Sequence, residues 1–508
     1  MRRARTTIES DSGEPRPVRN VTSSEIQVTP RMTMSTSDSF RPTLERAFNH
    51  ALHHLSSADS APVNASADLS TLRARFAQPL PEHGTDPTQV IDDLVRDTEG
   101  GILGSSGGRF FGWVIGGTLP AALAADWLVS TWDQNAAIHA CAPAEAVIEE
   151  VAGGWLKQLF GLPPTASFAF VTGTQMAHLT CLAAARHRLL KRAGWDVEEH
   201  GLFGAPAIRI LTSSERHGSV ERAVRVLGFG KRAVMSLPCD SSGRLAPETL
   251  AQALESNAPQ PAIVVLHAGD LNIGAFDRFA ELIPIARRFG AWVHVDGAFG
   301  LWAAASPRHR HLLRGVELAD SWTNDGHKWL NTPFDCGYAF VADVDAHRGA
   351  FSHRTSYTQF VDDARDQIEW NPEWSRRGRG VPTYAALRQL GGAGIAALIE
   401  RCCAHAYALV SRIGSLPGAE VVWEPVINQG LVRFLGSHPG ATEQDHDRQT
   451  DAVIARIAAS GEAFFGGTTW RGQRCMRISV CNWQTSADDV ERAVAAARRA
   501  LGSTYGDG

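Results

Sequence analysis

The chain has 508 residues, 44% of them hydrophobic and 20% charged, with a formal net charge of -5. That length exceeds what one hydrophobic core usually covers, which excludes a lone binding module and predicts two or three structural units. The composition is that of an ordinary soluble globular protein, no apolar run approaches the ~18 residues that span a bilayer, and the acidic balance offers no footprint for a polyanion, so neither membrane nor nucleic acid is an expected partner.

The first 31 residues carry Arg, Ser, Thr, Glu and Pro without the apolar stretch of a secretory signal. Residues 1–42 as a whole read as a disordered polar tail, and Met32 and Met34 leave open that the natural start lies within it. Residues 43–115 read as helical with polar breaks at Gly100-Gly101 and Ser105 to Gly108. From Thr118 to Phe160 the abundance of Ala, Leu, Trp and Glu predicts two amphipathic helices parted near Cys141 to Pro143.

The rhythm then changes. Short β-branched runs at 168–172, 207–211, 233–236, 262–266, 292–295 and 338–341 alternate with helical stretches, which predicts an α/β unit over 116–395 with a mostly parallel central sheet covered on both faces. Beyond the Gly391-Gly392 break, residues 396–508 read as a smaller α+β unit. It has an Ala-rich helix, strands at 430–434 and 474–480, and a closing helix at 487–501. The eight cysteines form no C-x-x-C pair, which suits a reducing cytoplasm. No metal is expected.

Ligands of open α/β sheets bind beyond the carboxyl ends of the strands, and three such ends stand out. Trp292-Val-His-Val-Asp296 puts an acid at the end of a buried strand. Alone, such an Asp is more often a cap or turn residue. The segment Ser321 to Asn331 then places His327 and Lys328, the latter 32 residues after Asp296, in an otherwise apolar setting, where a solvated surface lysine is a poor explanation. One chemistry needs both groups: in pyridoxal-5'-phosphate (PLP) catalysis a lysine amine forms a Schiff base and a carboxylate keeps the pyridine nitrogen protonated. The third end, Phe168 to Gln175, sets Gly173, Thr174 and Gln175 between a strand and a helix, where backbone N–H groups and the macrodipole favour a phosphate. His217 follows the strand at 207–211 and opens a helix. A lone His is usually structural, yet a flat imidazole suits stacking on a pyridine ring.

With these residues stand Phe110-Phe-Gly-Trp113, Ala142-Pro-Ala-Glu145, Gly274-Ala-Phe-Asp277 and Ser375-Arg-Arg-Gly-Arg379. In this order the set resembles the group II PLP-dependent amino acid decarboxylases, over about three quarters of the chain. The resemblance implies the PLP-dependent transferase fold type I (aspartate aminotransferase-like), with an N-terminal segment wrapping the partner subunit and a small C-terminal domain. It also implies Lys328 as the Schiff-base lysine, Asp296 on the ring nitrogen, His217 and Ala298 on opposite ring faces, and Gly173, Thr174 and His327 near the phosphate. It further implies an obligate homodimer with interfacial active sites.

Several positions depart from the family pattern. Gly116 stands where aromatic decarboxylases have threonine, just after Trp113 and Val114, and Asn135 and Ala137 stand where they reach apolar side chains into the neighbouring subunit. The family's loop tyrosine falls near Gln367, with Tyr357 the closest tyrosine, and the family asparagine three positions before the lysine is Asp325. The expected reaction is α-decarboxylation of an L-amino acid, a small-molecule substrate, with an aromatic or hydroxylated side chain favoured because amides from Asn135 or Gln134 oppose a plain phenyl group while Trp113 and Phe111 clasp an apolar body. A decarboxylase-like enzyme yielding an aldehyde, a PLP carbon-carbon lyase, and a non-catalytic scaffold are the competing readings.

Overall fold

Runs of residues buried on both faces build the central sheet. In the computed structural model, which describes residues 36–353 and 363–502, seven strands are joined: β1 (Ser167–Val171), β2 (Arg209–Ser213), β3 (Val234–Leu237), β4 (Ala262–His267), β5 (Trp292–Asp296), β6 (Ser321–Asp325) and β7 (Gly337–Val341). Their order is β1-β7-β6-β5-β4-β2-β3. Strands β2 to β6 pair in parallel, and only β7 runs against its neighbours.

Side chains alternate between the two faces, so each strand feeds two cores. Ile263 and Val265 of β4 join the helix Thr174–Arg192 in one, whereas Val264 and Leu266 join the helix Phe279–Arg288 in the other. The expected strand at 207–211 is corrected to Arg209–Ser213. Pairing starts only where Arg209 N donates to Pro261 O. Helices at Pro120–Trp132 and Pro143–Phe160 match the expected pair.

The C-terminal part holds a four-stranded antiparallel sheet in place of the two strands expected. Its strands are β8 (Ala419–Trp423), β9 (Gln429–Phe434), β10 (Gly466–Trp470) and β11 (Gln473–Ser479), in the order β10-β11-β9-β8. The helical stretch Gly380–Gly414 is interrupted at Gly391, whose backbone is non-helical with φ 61° and ψ 175°, so two helices meet there in a kink at the expected break. By length and composition this stretch could cross a membrane, yet it packs against helices and against β8 and β9 in the core.

The helix Thr36–Ser57 begins inside the tail expected at 1–42, which corrects that boundary. Residues 36–53 and 79–96 form a compact unit of their own, in which His50 Nε2 meets Asp92 Oδ1 at 3.0 Å. Both sheets belong to the second unit. Tyr357 lies outside the described residues.

Candidate active site

The carboxyl ends of β4, β5 and β6 open onto a cavity of about 510 Å³, the position at which parallel α/β sheets bind ligands. Asp296 ends β5 and is nearly enclosed. Its Oδ1 accepts the Ala298 N–H at 3.2 Å, and its Oδ2 lies 3.4 Å from His178 Nε2 and 4.0 Å from His267 Nδ1. Burial alone would raise this carboxyl's pKa, but His178, His267 and His217 outweigh it and hold the group well below the usual carboxylate range. The cavity therefore carries a fixed negative charge.

Lys328 follows β6 by three residues. Its Nζ stands 3.2 Å from Asp325 Oδ2 and 5.9 Å from the centre of the Phe299 ring. Asn331 clamps the turn that bears it: Oδ1 accepts N–H groups of Gly117 at 2.7 Å and Trp483 at 3.0 Å, while Nδ2 donates to the carbonyls of Trp329 and Cys481. A Cβ at position 116 would overlap the Lys328 carbonyl oxygen, which accounts for glycine where the resemblance predicts threonine.

Gly173 precedes the 19-residue helix Thr174–Arg192, and at its first turn the Thr174 hydroxyl is buried without a hydrogen-bond partner among the described residues. The Thr174 N–H donates to Asp325 Oδ1 at 2.6 Å, and His327 Nε2 lies 3.6 Å from the same oxygen. Despite burial, His327 and Lys328 hold the Asp325 pKa below its ordinary value. A carboxylate is thus tolerated there because the Thr174 N–H and the Lys328 amine engage it. A lysine amine, an ionised carboxylate and an unengaged hydroxyl at a helix N-terminus together fit the Schiff-base, ring-nitrogen and phosphate ends of PLP.

His217 caps the helix Gly218–Val226, its Nδ1 accepting the Ser219 N–H at 3.2 Å. The hydrogen of its neutral ring therefore sits on Nε2. Desolvation lowers its pKa, against the pull of Asp296. Trp113 and Val114 have φ of 51° and 57°, a left-handed conformation that strains a β-branched residue and tends to be kept at ligand sites.

The sequence-predicted Gly173, Thr174, Gln175, His217, Asp296, Ala298, His327, Lys328, Trp113 and Val114 all line this one cavity. Asn135 and Ala137 do not. Asn135 Oδ1 accepts the N–H groups of Ala137 and Arg376, each at 3.2 Å, and the Ala137 carbonyl accepts the N–H of Ile368. Phe111, expected to clasp substrate, is a core residue stacked on Phe465 at 5.2 Å, and Gln367 is buried in the turn Gln367–Glu369.

Sequence reasoning missed Arg477, Thr468, Glu215, His267 and His178. Arg477, buried on β11, donates from Nη1 to the Leu271 carbonyl at 2.8 Å, and burial lowers its pKa against the pull of Asp270. A charge amid Met476 and Ile478 was the available signal. Thr468 Oγ1 donates to Asn272 Oδ1 at 2.7 Å on the same wall.

The signature of the pyridoxal-dependent decarboxylase conserved domain matches residues 70–435. An aromatic-L-amino-acid decarboxylase of Bacillus atrophaeus is 26% identical over 459 residues, covering 88% of this chain and 92% of that one. Among solved structures, Oryza sativa TDC with PLP and tryptamine superposes with a TM-score of 0.87 at 24% identity, over 94% of this chain and 99% of that one. Rhodiola rosea 4-hydroxyphenylacetaldehyde synthase gives 0.82 at 20% identity, over 92% and 99%. The fold is the expected PLP-dependent α/β architecture with a small second sheet.

Proposed function

Because the chain belongs to the pyridoxal-dependent decarboxylase family, we propose that it removes the α-carboxyl group of an L-amino acid with an aromatic or hydroxylated side chain, releasing the amine and carbon dioxide. It is an amino acid carboxy-lyase that uses PLP; the substrate class and the product are the proposal. The carrying observation is one cavity shared by Lys328, the ionised Asp296 and the unengaged Thr174 hydroxyl.

When bound, PLP supplies a sink for the electron pair left at the α carbon. Asp296 keeps a hydrogen on the ring nitrogen because its histidine neighbours keep it ionised. Lys328 would hold the cofactor through its amine, and Asp325, 3.2 Å from Nζ, would pair with that group whenever it is free and protonated. The Thr174 hydroxyl and the helix behind it hold the phosphate. Arg477, of which only Nη1 is engaged among the described residues, offers its remaining donors to a substrate carboxylate. His217 stands at the cavity wall, where its flat neutral ring would stack on the cofactor ring.

The substrate class follows from walls that mix Trp113, Val114, Leu271 and Phe299 with Glu215 and Thr468. Glu215 and the Thr468 hydroxyl, which donates to Asn272, present oxygen acceptors among these apolar side chains, so a side chain with an apolar body and a hydroxyl is favoured. A homodimer with interfacial sites is part of the proposal. It is supported by exposed Val147, Val151 and Trp155, one turn apart on a single helix, and it gives the exposed Asn135, though not the buried Ala137, to the partner's cavity. All eight cysteines are free, which supports a cytoplasmic setting.

The test is a panel of L-amino acids with the PLP-loaded protein, measuring carbon dioxide, amine, aldehyde and peroxide separately. Amine equal to carbon dioxide, with the highest kcat/KM for a hydroxylated aromatic substrate, is expected. Aldehyde with peroxide would replace the proposed product, and a preference for phenylalanine or a small aliphatic substrate would overturn the substrate class.

A further inference from the structure

We infer that His178 is a positioning residue for Asp296, and that a buried hydrogen-bond chain from Trp292 through Ser321 and His294 fixes its ring with a hydrogen on Nε2 aimed at the carboxylate.

The placement follows from strand and helix periods. Trp292, His294 and Asp296 alternate along β5 and so project from one face of the sheet. The register of β5 against β6 sets Ser321 beside His294. The helix Thr174–Arg192 packs on β5 and β6, and His178 comes one turn after Thr174, on the same face as that residue. One helix thus serves both ends of the cofactor site, its first turn at the phosphate and its second at the acid.

The hydrogen bonds run as far as His178: Trp292 Nε1 donates to Ser321 Oγ at 2.9 Å, Ser321 Oγ meets His294 Nδ1 at 2.8 Å, and His294 Nε2 meets His178 Nδ1 at 2.9 Å. His178 Nε2 is buried with no hydrogen-bond partner among the described residues and stands 3.4 Å from Asp296 Oδ2, the acceptor within its reach. His178, His294 and Ser321 are wholly buried, so the hydrogens are set by neighbours rather than by solvent. An indole N–H can only donate, so Ser321 Oγ accepts from Trp292 and keeps its hydrogen for another partner. In the inferred direction that hydrogen points to His294 Nδ1. Burial pushes the His294 pKa well down, so its single hydrogen sits on Nε2 and points to His178 Nδ1. His178 must then carry its own hydrogen on Nε2, facing the carboxylate.

Packing alone does not explain two imidazoles here. The sheet face and helix they share belong to an apolar core that includes Cys181, Val265 and Trp292, and an apolar side chain at 178 would leave no polar atom of its own to satisfy. His178 is also the nearest histidine to Asp296. His267 stands off at 4.0 Å, and its Nε2 is engaged with Thr212 Oγ1 at 3.2 Å. Without the His178 donor, burial would raise the proton affinity of Asp296, and the hydrogen shared with the cofactor's ring nitrogen would move onto the carboxylate.

The test uses holoenzyme loaded with PLP labelled with nitrogen-15 in the ring, read by nuclear magnetic resonance. His178→Leu should bind the cofactor, shift the ring signal toward that of neutral pyridine, and lower kcat by about 10- to 100-fold with KM within about twofold. His178→Gln, which retains an N–H donor, should recover much of both. Ser321→Ala should move the ring signal the same way by a smaller amount. A cofactor-loaded His178→Leu with the wild-type ring signal would overturn the assignment of His178. Should that variant not fold, an unchanged signal in Ser321→Ala would overturn the chain.

Discussion

At position 116 the difference between a hydrogen and a methyl group decides where Lys328 stands. The Gly116 N–H donates to the His327 carbonyl at 3.3 Å, and the Lys328 carbonyl fills the space a side chain would need. Backbone atoms cannot rotate aside, so Gly116→Ala must displace the lysine turn that Asn331 clamps. The expected cost is about 1 to 3 kcal/mol, with visible absorbance of bound cofactor lost together with a lowered urea midpoint. Full cofactor content at an unchanged midpoint would show that the turn yields freely. This contact was invisible in the sequence, where Gly116 was only a departure from a pattern. Asp296 and Thr174 were legible because they sit at or just beyond the ends of largely apolar strands, and Lys328 because a lysine flanked by His327 and Trp329 is a poor surface residue. Arg477 and Thr468 were not, since a smaller sheet far along the chain brings them to the wall.

Between elements, Arg376 is the side chain that joins a loop, a helix and a strand. Both terminal nitrogens meet Glu149 Oε2, at 3.0 and 2.9 Å, while Nη1 also donates to the Ala136 carbonyl and Nη2 to that of Phe170 in β1. Arg376 and Glu149 are both buried. Arg376→Met would leave Glu149 with Arg365 at 3.8 Å and two carbonyls without donors. Removing one member of a buried pair costs about 3 to 5 kcal/mol, a loss that urea unfolding would register; a loss below about 1 kcal/mol would mean that Arg365 takes over. Legibility at this scale follows burial. Strands β4 and β5 are buried at every position and announce themselves as largely apolar runs, whereas β6, Ser-Trp-Thr-Asn-Asp, is as fully buried but mostly polar and was not among the expected strands. β8 and β10 are largely half-exposed or exposed, and β10 opens with two glycines, so neither offers an apolar run or a clean alternation. The helix from Thr36 was hidden because Pro42 lies inside it, and proline is ordinarily read as a break.

For the whole molecule, what needs explaining is the apolar surface of two helices that pack on Gly380–Gly414. Trp127, Leu128 and Trp132 of Pro120–Trp132 and Val147, Val151 and Trp155 of Pro143–Phe160 are 36 to 50% exposed, a concentration that marks an interface more often than bare surface. The loop between these helices carries Asn135, which lies outside the chain's own cavity. If this surface joins two copies, each cavity is completed by the partner's loop, and separating the copies should remove activity without disturbing Lys328. The double variant Val147→Glu with Val151→Glu tests this, because both side chains are on the exposed face and two carboxylates there would be desolvated and mutually repelled in a dimer. Sedimentation should show a dimer for the wild type and a monomer for the variant. Carbon dioxide release should fall by at least about tenfold, while borohydride still fixes cofactor to Lys328. A monomeric variant with wild-type turnover would show that one chain suffices for catalysis, and a monomeric wild type would remove the interface altogether.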